Sequence, residues 1–485
     1  MLTEAKNIIG GEYKVGGTGK VKERYNPGTG ELVGRFTEST SEDVDDAIRS
    51  ARRAFEDSHW PRDPKLRVRV LREIHDAIID DFEYLAKVQT SENGKIIRDS
   101  RTELNSAADF FDYYSGLARD LYGRTNLLDQ NTMSFVLREP MGVVGIIAPW
   151  NAPIVLLARS LAPALAAGNT VVIKPASYTP LTIYALLDKV LERVKDIPKG
   201  VINLVLGGGE TVGYELVKHE DVDFISFTGS TEAGALVMRE ASINIKRLSL
   251  ELGGKTPNII LEDANFESAI QGAIRGSMLG SAGQICFAGT RVMVHDKIYQ
   301  KFRDNIIKLI PNLKIGNGLS EDVDVGPVVS DGQLKRVMDY IEVGKKVASL
   351  LVGGNQLSDG EWSKGHFVEP TIFDDVPPDS KIAQEEIFGP VLSMIRFKSL
   401  DEVAAIANST KYGLSAAIWT NNINNAFKLA RRIKAGVVWI NMYGRMFPEA
   451  ETGTYKQSGI GGTLRGMEAL NTFTEIKDIL INISE

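Results

Sequence analysis

The stretch GVVGIIAPWNAPIVLLA, residues 142–158, decides the fold, together with TVVIKP at residues 170–175. Each contains a short run of valine and isoleucine bounded by glycine or proline, and an apolar helical segment lies between the two runs. Short β-branched runs that alternate with helices predict βαβ units and a buried parallel sheet. The runs VINLVLG, DFISFTG and KRLSLELGG continue this pattern as far as Leu250. We therefore expect a parallel α/β sheet in this part of the chain.

The region before this stretch is predicted to be mainly helical over its first 120 residues, after a β-like entry at about 13–36. Thr40 followed by Asp43 indicates a capping box at the start of the first helix. A longer helix is expected from about 65 to 91, with Gly94 as its stop.

A second α/β stretch is expected after the central sheet, from about 257 to 441. Its strand candidates are PNIILED, TRVMVHD, VLSMIRF and GVVWIN. Two further segments, at about 122–140 and 470–485, have the composition of β-strands outside the βα alternation. The last one alternates polar and apolar residues as an edge strand does, so it could extend a sheet in a partner subunit.

Composition excludes several classes of function. A chain of 485 residues is long enough for two or three domains, and a net charge of −7 argues against a nucleic-acid-binding protein, which needs a clustered basic face. The single cysteine allows no internal disulfide, so a reducing cytoplasm is the expected location. The N-terminal segment lacks the apolar core of a signal peptide. Pro149 and Pro153 interrupt the apolar stretch at 141–158, which favours a buried strand and helix over a membrane span.

Two glycine-rich turns follow predicted strands. LVLGGGETVG contains Gly207, and FTGSTEAG places Ser230 at a helix start. Backbone amides at such a helix start suit a pyrophosphate. Either turn alone is compatible with an ordinary βα connection, because the first is one residue longer than the dinucleotide fingerprint and lacks its acidic partner.

Three polar residues fall at or near predicted strand ends, where ligands gather in open α/β sheets. Asn151 lies in APWNAP, Glu251 in LELGGK and Cys286 in GQICFAG. Together they would supply an oxyanion donor, a base and a nucleophile. Taken singly they also fit a turn former, a surface acid and a buried small residue. The five histidines show no metal-ligand spacing, and nothing in the sequence places His295 beside the thiol as a cysteine–histidine hydrolase would need.

Seven motifs in order give these residues a family context. APWNAP, KPASYTPL, FTGSTEAG, LELGGK, GQICFAGTR, EEIFGPVL and GVVWIN resemble the motifs of the NAD(P)-dependent aldehyde dehydrogenase superfamily, and the likeness extends from Asn26 to Gly461. The resemblance implies a Rossmann-type cofactor domain, a second α/β catalytic domain and a small β oligomerisation segment. In our division the cofactor domain comprises residues 1–121 and 141–252, the catalytic domain 253–445, and the oligomerisation segment 122–140 and 446–485.

The resemblance implies an enzyme that oxidises an aldehyde to a carboxylic acid. Cys286 corresponds to the nucleophile that forms a thiohemiacetal and then a thioester. Asn151 and the backbone N–H of Cys286 correspond to the oxyanion hole, and Glu251 to the base that activates water for hydrolysis. A CoA-acylating enzyme is the first alternative, although such relatives lack the glutamate. A non-catalytic protein that reuses the fold is the second.

The resemblance also implies where the cofactor binds. The residues that match cofactor contacts of the family are Trp150, Lys174, Ser177, Gly207, Phe227, Ser230, Leu252, Glu386 and Phe388. Many NAD-preferring members have glutamate at the position of Ser177, and its carboxylate repels a 2′-phosphate. Serine removes that repulsion, so we expect NADP to be accepted and preferred over NAD.

The substrate and the assembly are less sharply specified. The segment EAETGTYKQSG at 449–459 departs from the family pattern where members form the wall of the substrate entrance, and Phe287 adds bulk beside the nucleophile. Small aliphatic aldehydes, hydroxyaldehydes and semialdehydes all remain candidates. The resemblance implies a homodimer or homotetramer, with no nucleic-acid or membrane partner and no metal.

Overall fold

The N-terminal region combines short strands with a helical layer. The computed structural model describes residues 3–484. The strands of this region are β1 (Thr3–Ala5), β2 (Asn7–Ile9), β3 (Glu12–Lys14), β4 (Val21–Tyr25), β5 (Leu32–Thr37), β6 (Arg124–Leu127) and β7 (Thr132–Pro140). Its helices are α1 (Ser41–Asp57), α2 (Pro64–Asp80), α3 (Phe82–Asn93) and α4 (Ile97–Leu117).

The helix signals in this region are mostly confirmed. Thr40 caps α1, and Thr40 and Asp43 form the reciprocal bonds of a capping box. Gly94 ends α3 in the left-handed region at φ 85°. The prediction of one helix over 65–91 is wrong, because the helix is interrupted at Asp81, which separates α2 from α3. Arg193 from a later helix pairs with Asp81 at 2.8 Å, a long-range contact that no local pattern reveals.

The central sheet develops from the runs that predicted it. Its strands are β8 (Val143–Ala148), β9 (Thr170–Pro175), β10 (Ile202–Leu204), β11 (Phe224–Thr228) and β12 (Arg247–Glu251). The helices between and after them are α5 (Pro153–Ala167), α6 (Pro180–Arg193), α7 (Tyr214–Lys218) and α8 (Thr231–Ala241).

The order of these strands is that of a Rossmann-type sheet. The parallel strands lie in the order β12-β11-β8-β9-β10, and β2 and β3 extend the sheet beyond β10. The strand order reverses between β8 and β11, and such a switch point opens a crevice at the carboxyl ends of the strands. Every residue of α5 is buried, as expected of a helix that is apolar nearly all round.

The second α/β region forms a seven-stranded sheet. The strands after β12 are β13 (Pro257–Ile260), β14 (Arg291–His295), β15 (Ser349–Val352), β16 (Gln356–Leu357), β17 (Phe367–Val368), β18 (Thr371–Asp374), β19 (Val391–Phe397), β20 (Tyr412–Gly413), β21 (Ser415–Trp419) and β22 (Val437–Ile440). The helices are α9 (Phe266–Ile274), α10 (Asp296–Leu309), α11 (Asp331–Val347), α12 (Lys381–Gln384), α13 (Leu400–Asn408) and α14 (Ile423–Ala430). The sheet order is β15-β18-β19-β14-β13-β21-β22, so all four predicted strands are confirmed.

The C-terminal residues connect all parts of the molecule. They form β23 (Tyr455–Lys456), β24 (Gly459–Ile460), α15 (Glu468–Thr472) and β25 (Thr474–Asn482). β24 pairs with β12 at the edge of the central sheet, and β23 pairs with β20. β25 pairs with β7 over nine residues, and with β6 these strands form a separate three-stranded sheet in which β25 is an edge, as its alternation predicted. Among residues 3–484, no helix is long and apolar enough to cross a membrane.

Candidate active site

A cavity of about 870 Å³ lies beside the only cysteine of the chain. Asn151 and Cys286 both line it, although 135 positions separate them in the sequence. Asn151 follows β8 and precedes α5, whereas Cys286 lies in the loop between α9 and β14. The structure therefore brings together two of the three polar residues that the sequence placed near strand ends.

The loop that carries Cys286 has an unusual backbone. Ser281, Ala282 and Gly283 all have positive φ, at 46°, 54° and 73°. A Cβ at Gly283 would lie 2.3 Å from the carbonyl oxygen of Gly389, so only glycine fits there. The Gln284 side chain fixes the loop on both sides, since its Nε2 donates to the Ser281 carbonyl and its Oε1 accepts from the Val329 N–H. Cys286 thus lies on a loop that is held by hydrogen bonds from both sides of Gln284.

Asn151 is fixed against this same loop. Its Nδ2 donates a hydrogen bond to the Gln284 carbonyl at 3.0 Å, and only 7% of the residue is exposed. The first turn of α5 is held by Glu103, whose Oε1 accepts from the N–H groups of Ile154 and Val155. An acidic group at this end of a helix is favourable because it satisfies free N–H donors and the helix dipole.

The surroundings of Cys286 disfavour its charged form. Burial, together with the carboxylates of Glu386 and Glu251, raises the pKa of the thiol to about 12. The guanidinium of Arg159 acts in the opposite direction. A thiol must lose its proton to act as a nucleophile, so ionisation of Cys286 depends on a change in its surroundings.

Glu251 ends β12 and lies next to Thr228 at the end of β11. Its Oε2 forms an ion pair with Nη1 of Arg159 at 3.3 Å, and both side chains are nearly buried. No sequence motif marks Arg159, which is a single arginine within an apolar helix. A second arginine, Arg465, is also buried, and burial together with the charge of Arg159 lowers its pKa to about 10.

Aromatic side chains form one wall of the cavity. Phe287 and Tyr443 both line it, and Phe287 packs edge-on against Trp439 at 5.7 Å between ring centroids. The Tyr443 hydroxyl donates to the Phe287 carbonyl. Phe287 therefore both faces the cavity and packs against a neighbour.

Charged side chains also line the cavity, and carboxylates outnumber cations. The acids are Asp99, Glu103, Asp109, Asp112 and Glu449, and the cations are Lys95, Arg275 and Arg445. Burial, followed by the charges of Glu449 and Asp112, raises the pKa of Asp109. Lys95 and Glu103 are buried and pair with each other, which leaves an excess of negative charge among the other lining residues. Glu449 belongs to the segment whose departure from the family pattern pointed to the substrate entrance.

Three of the predicted cofactor residues, Lys174, Ser177 and Gly207, lie at the carboxyl ends of β9 and β10. Lys174 is only 4% exposed, and burial lowers its pKa to about 8 with no carboxylate close enough to oppose the shift. Ser177 is exposed, and its hydroxyl donates a weak bond to the Gly207 carbonyl at 3.4 Å. A buried ammonium without an anionic partner fits a site that binds hydroxyl or phosphate oxygens.

Another three predicted cofactor residues surround the start of α8. Ser230 caps this helix by accepting the Ala233 N–H, and its position at the helix N-terminus suits an anion. Phe227 packs so closely on Gly229 that a Cβ there would lie 2.5 Å from the ring. Leu252 is buried in the same way against Gly234. Gly229 and Gly234 therefore leave room for these two side chains to pack at the turn.

The remaining predicted cofactor residues are Trp150, Glu386 and Phe388. Trp150 and Phe388 pack edge-on at 5.2 Å, and Phe388 has a left-handed backbone at φ 64°. Glu386 accepts the Gly254 N–H at 3.0 Å, and burial raises its pKa to about 7. The nine predicted cofactor residues therefore fall into three groups, at the ends of β9 and β10, at the start of α8, and around the contact of Trp150 with Phe388.

His295 has a structural role in the described region. It caps α10 by accepting the Lys297 N–H, and its ring packs edge-on against Phe397. Within residues 3–484, no group of three or more His, Cys, Asp or Glu side chains is arranged to hold a metal ion.

Comparisons with known proteins agree with this geometry. The model of the aldehyde dehydrogenase family matches residues 15–479. The chain is 41% identical to a betaine aldehyde dehydrogenase of Bacillus subtilis, over 98% of this chain and 97% of that protein. It is 40% identical to an aldehyde dehydrogenase of Tanacetum cinerariifolium over 98% and 94% of the two chains. A crystal structure of betaine aldehyde dehydrogenase from Staphylococcus aureus in complex with NAD⁺ matches with a TM-score of 0.96 at 37% identity, covering 100% of this chain and 96% of that one.

Proposed function

The chain belongs to the aldehyde dehydrogenase family, and on that premise we propose that Cys286 carries the acyl group as an aldehyde is oxidised to a carboxylic acid. The observation that supports these assignments best is the shared cavity. Asn151 and Cys286 both face it, and Glu251 ends a strand close to the same loop. This set contains a nucleophile, an oxyanion donor and a base, which are the groups that acyl chemistry needs.

In the first step Cys286 loses its proton and Sγ forms a bond to the aldehyde carbon. The carbonyl oxygen becomes an oxyanion, which the Asn151 amide and the Cys286 N–H stabilise. Because Asn151 is already held by the Gln284 carbonyl, its second amide hydrogen is free to donate without reorganisation. A donor of this kind contributes about 3 kcal/mol to transition-state stabilisation.

In the second step the tetrahedral adduct collapses to a thioester and releases hydride. A bound nicotinamide would supply the acceptor for this hydride. Glu251 then takes a proton from water as the water oxygen attacks the thioester carbon. The C–S bond breaks, the carboxylic acid leaves and the thiol is restored.

The three groups of predicted cofactor residues described above would hold the cofactor. Lys174 and Ser177 would contact the adenosine ribose, Ser230 the pyrophosphate, and Glu386 the nicotinamide ribose. A solved neighbour binds NAD⁺, and we propose that this chain also uses NADP and prefers it. The support for NADP is local, since Ser177 carries no charge and Lys174 supplies an ammonium beside it.

For the substrate we propose a small aldehyde that carries a positive charge. Two observations favour this class over the neutral and anionic aldehydes. Relatives at 41% and 37% identity are betaine aldehyde dehydrogenases. The cavity combines aromatic rings with an excess of carboxylates, and both attract a cation.

The substrate class is tested by comparing betaine aldehyde with 3,3-dimethylbutanal, which has the same shape without the charge. We expect kcat/KM to be at least about tenfold higher for the charged aldehyde, since its charge interacts with partly buried carboxylates. Succinate semialdehyde provides the anionic comparison. A higher kcat/KM for either comparison aldehyde would overturn the cationic assignment while leaving the reaction class intact.

The reaction itself is tested by reduced-cofactor absorbance with a panel of aldehydes and both cofactors. Cys286→Ala should abolish the signal while the melting temperature stays close to that of the unmodified protein. Product release with and without CoA distinguishes hydrolysis from acyl transfer, and we expect the acid without any need for CoA. A surviving rate in Cys286→Ala would exclude the thiol mechanism.

We propose the division into cofactor, catalytic and oligomerisation regions given above, and a homodimer or homotetramer. The exposed edge of β25 and its apolar side chains Ile476, Ile479 and Leu480 support assembly through that sheet. A reducing cytoplasm would keep Cys286 active. Light scattering of the purified protein, compared with a chain shortened before β25, tests the assembly.

A further inference from the structure

We infer that Arg159 is a positioning residue that holds the Glu251 carboxylate in place for hydrolysis of the thioester. This inference rests on the role proposed for Glu251. Arg159 lies in no sequence motif, and we assign it to hydrolysis of the thioester rather than to the earlier formation of that thioester.

Arg159 connects the ends of two neighbouring strands. Thr228 and Glu251 are register partners at the ends of β11 and β12. Nη2 of Arg159 donates to the Thr228 hydroxyl at 3.0 Å, and Nη1 lies 3.3 Å from Glu251 Oε2. The planar guanidinium can make both contacts at once, because its donors point in fixed, different directions.

The backbone that carries Arg159 is itself fixed. It belongs to α5, whose first turn is capped by Glu103 and whose residues are all buried. The next residue, Ser160, forms a hydroxyl–hydroxyl bond of 2.9 Å with Ser226 on β11. Since Arg159 cannot shift without disturbing this contact, the position of Glu251 is determined by the packing of α5 on the sheet.

No other side chain in the described region hydrogen-bonds to the Glu251 carboxylate. The backbone carbonyl of Glu251 accepts the Gly229 N–H, but that bond does not orient the side chain. Without Arg159, the carboxylate would therefore be free to rotate. A rotating base spends less time in line with the attacking water, which slows the step that needs it.

A direct role in binding substrate fits the structure less well. Arg159 is 6% exposed, and among residues 3–484 it is not part of the cavity lining. Its guanidinium contacts Thr228 and Glu251 instead. Its charge also lowers the pKa of Cys286, so a test must separate charge from position.

The experiment uses p-nitrophenyl acetate, which acylates the thiol without any cofactor. Transfer of the acetyl group to Sγ releases nitrophenolate in a burst, and hydrolysis of the acetyl thioester sets the steady rate. Arg159→Lys keeps the positive charge but cannot make both contacts. We expect its burst rate to stay within about twofold of the unmodified enzyme and its steady rate to fall about tenfold or more, as for a lost charged hydrogen bond.

Two further variants test the geometry of the contact. Thr228→Val removes one anchor of the guanidinium, and we expect a smaller fall in the steady rate alone. In Arg159→Ala, added guanidinium chloride at low concentration should raise the steady rate several-fold, since the free ion can occupy the vacated position. A merely structural role would not produce this rescue.

Arg67→Lys is the matched control. Arg67 is 4% exposed and donates to the carbonyls of Trp60 and Pro61 and to that of Ala166, at the far end of α5. The Arg67→Lys substitution removes a buried guanidinium that does not contact Glu251, so both rates should be unchanged. Equal loss of burst and steady rates in Arg159→Lys, or an unchanged steady rate, would overturn the inference. If Glu251→Gln leaves the steady rate unchanged, the role proposed for Glu251 fails instead.

Discussion

Side chains near Cys286, a region called the corner below, are held more firmly than Ser177, whose surroundings are called the edge. At the corner, Asn151, Gln284 and Glu251 are buried or nearly so, and each is held by at least one hydrogen bond from a distant part of the chain. At the edge, Ser177 is exposed and makes one weak bond to Gly207.

The difference shows that the fold fixes the side chains proposed to act on the reacting carbon more firmly than the side chain proposed to select the cofactor. Groups that act on a reacting carbon must be in position before the substrate arrives, because reorganisation raises the barrier. Groups that choose between two cofactors need only a favourable or unfavourable charge at about the right place. We therefore expect substitutions at the corner to change the rate strongly, and substitutions at the edge to change cofactor preference with little effect on the rate.

The largest effect is expected at the corner. Asn151→Ala removes the oxyanion donor and should lower kcat by about 100-fold to 1,000-fold. Asn151→Asp, which keeps the shape but not the donor, should be similarly slow, whereas the melting temperature of both variants should change little. Steady-state kinetics with the best aldehyde provides the measurement. A kcat within threefold of the unmodified enzyme would place the oxyanion elsewhere.

The second expected effect concerns the Cys286 thiol. Its pKa is raised to about 12, chiefly by burial, so the thiolate fraction of the free protein should rise about tenfold for each pH unit between 7 and 9. The rate of alkylation by iodoacetamide, followed by mass spectrometry of the intact protein, should rise about 100-fold over this range. A plateau below pH 8 would mean that the thiol is already ionised by its surroundings.

At the edge, the expected effect is selective. Ser177→Glu places a carboxylate where a 2′-phosphate would bind and should lower kcat/KM for NADP by about tenfold or more, because like charges repel. The same variant should leave kcat with NAD nearly unchanged. Ser177→Gln is the control for size without charge. Equal losses with both cofactors, or a loss in Ser177→Gln as large as in Ser177→Glu, would contradict the charge argument.

The smallest expected effect is a pH dependence at the same edge. Burial lowers the pKa of Lys174 to about 8, so its positive charge is present below that pH and is lost as the pH rises through it. The KM for NADP should therefore increase several-fold between pH 7 and 9, since the phosphate loses its cation. The KM for NAD should increase less. Parallel changes for the two cofactors would show that Lys174 does not contact the phosphate.

The sequence predicted the sheets well because their signals are local. The runs at 142–147 and 170–175 are short, β-branched and bounded, and each became a buried strand. The break between α2 and α3 was missed, since residues 65–91 keep a helical pattern throughout. Its partner, Arg193, is 112 positions away from Asp81.

The candidate site divides in the same way. Cys286, Asn151 and Glu251 could be singled out from the sequence, because each lies in a motif that resembles one of the family's motifs, and their chemical roles stay predictions. Arg159 could not be singled out from the sequence, since an arginine in an apolar helix is equally compatible with a surface position. The charge of the cavity also escaped prediction, because Asp99 and Asp109 lie on α4 whereas Glu449 comes from a segment near the C-terminus.

The amino-acid sequence by itself determined most of the order of strands and helices, the candidate nucleophile and the absence of a carboxylate at Ser177. These depend on periodicity, turn residues and motifs, which are properties of neighbours along the chain. Only the tertiary structure decided how Cys286 and the residues around it are held. The loop at 281–284, the Glu103 cap on α5 and the link from Arg159 to Glu251 all join residues far apart in the chain, and only packing of the completed sheet brings them within hydrogen-bonding distance.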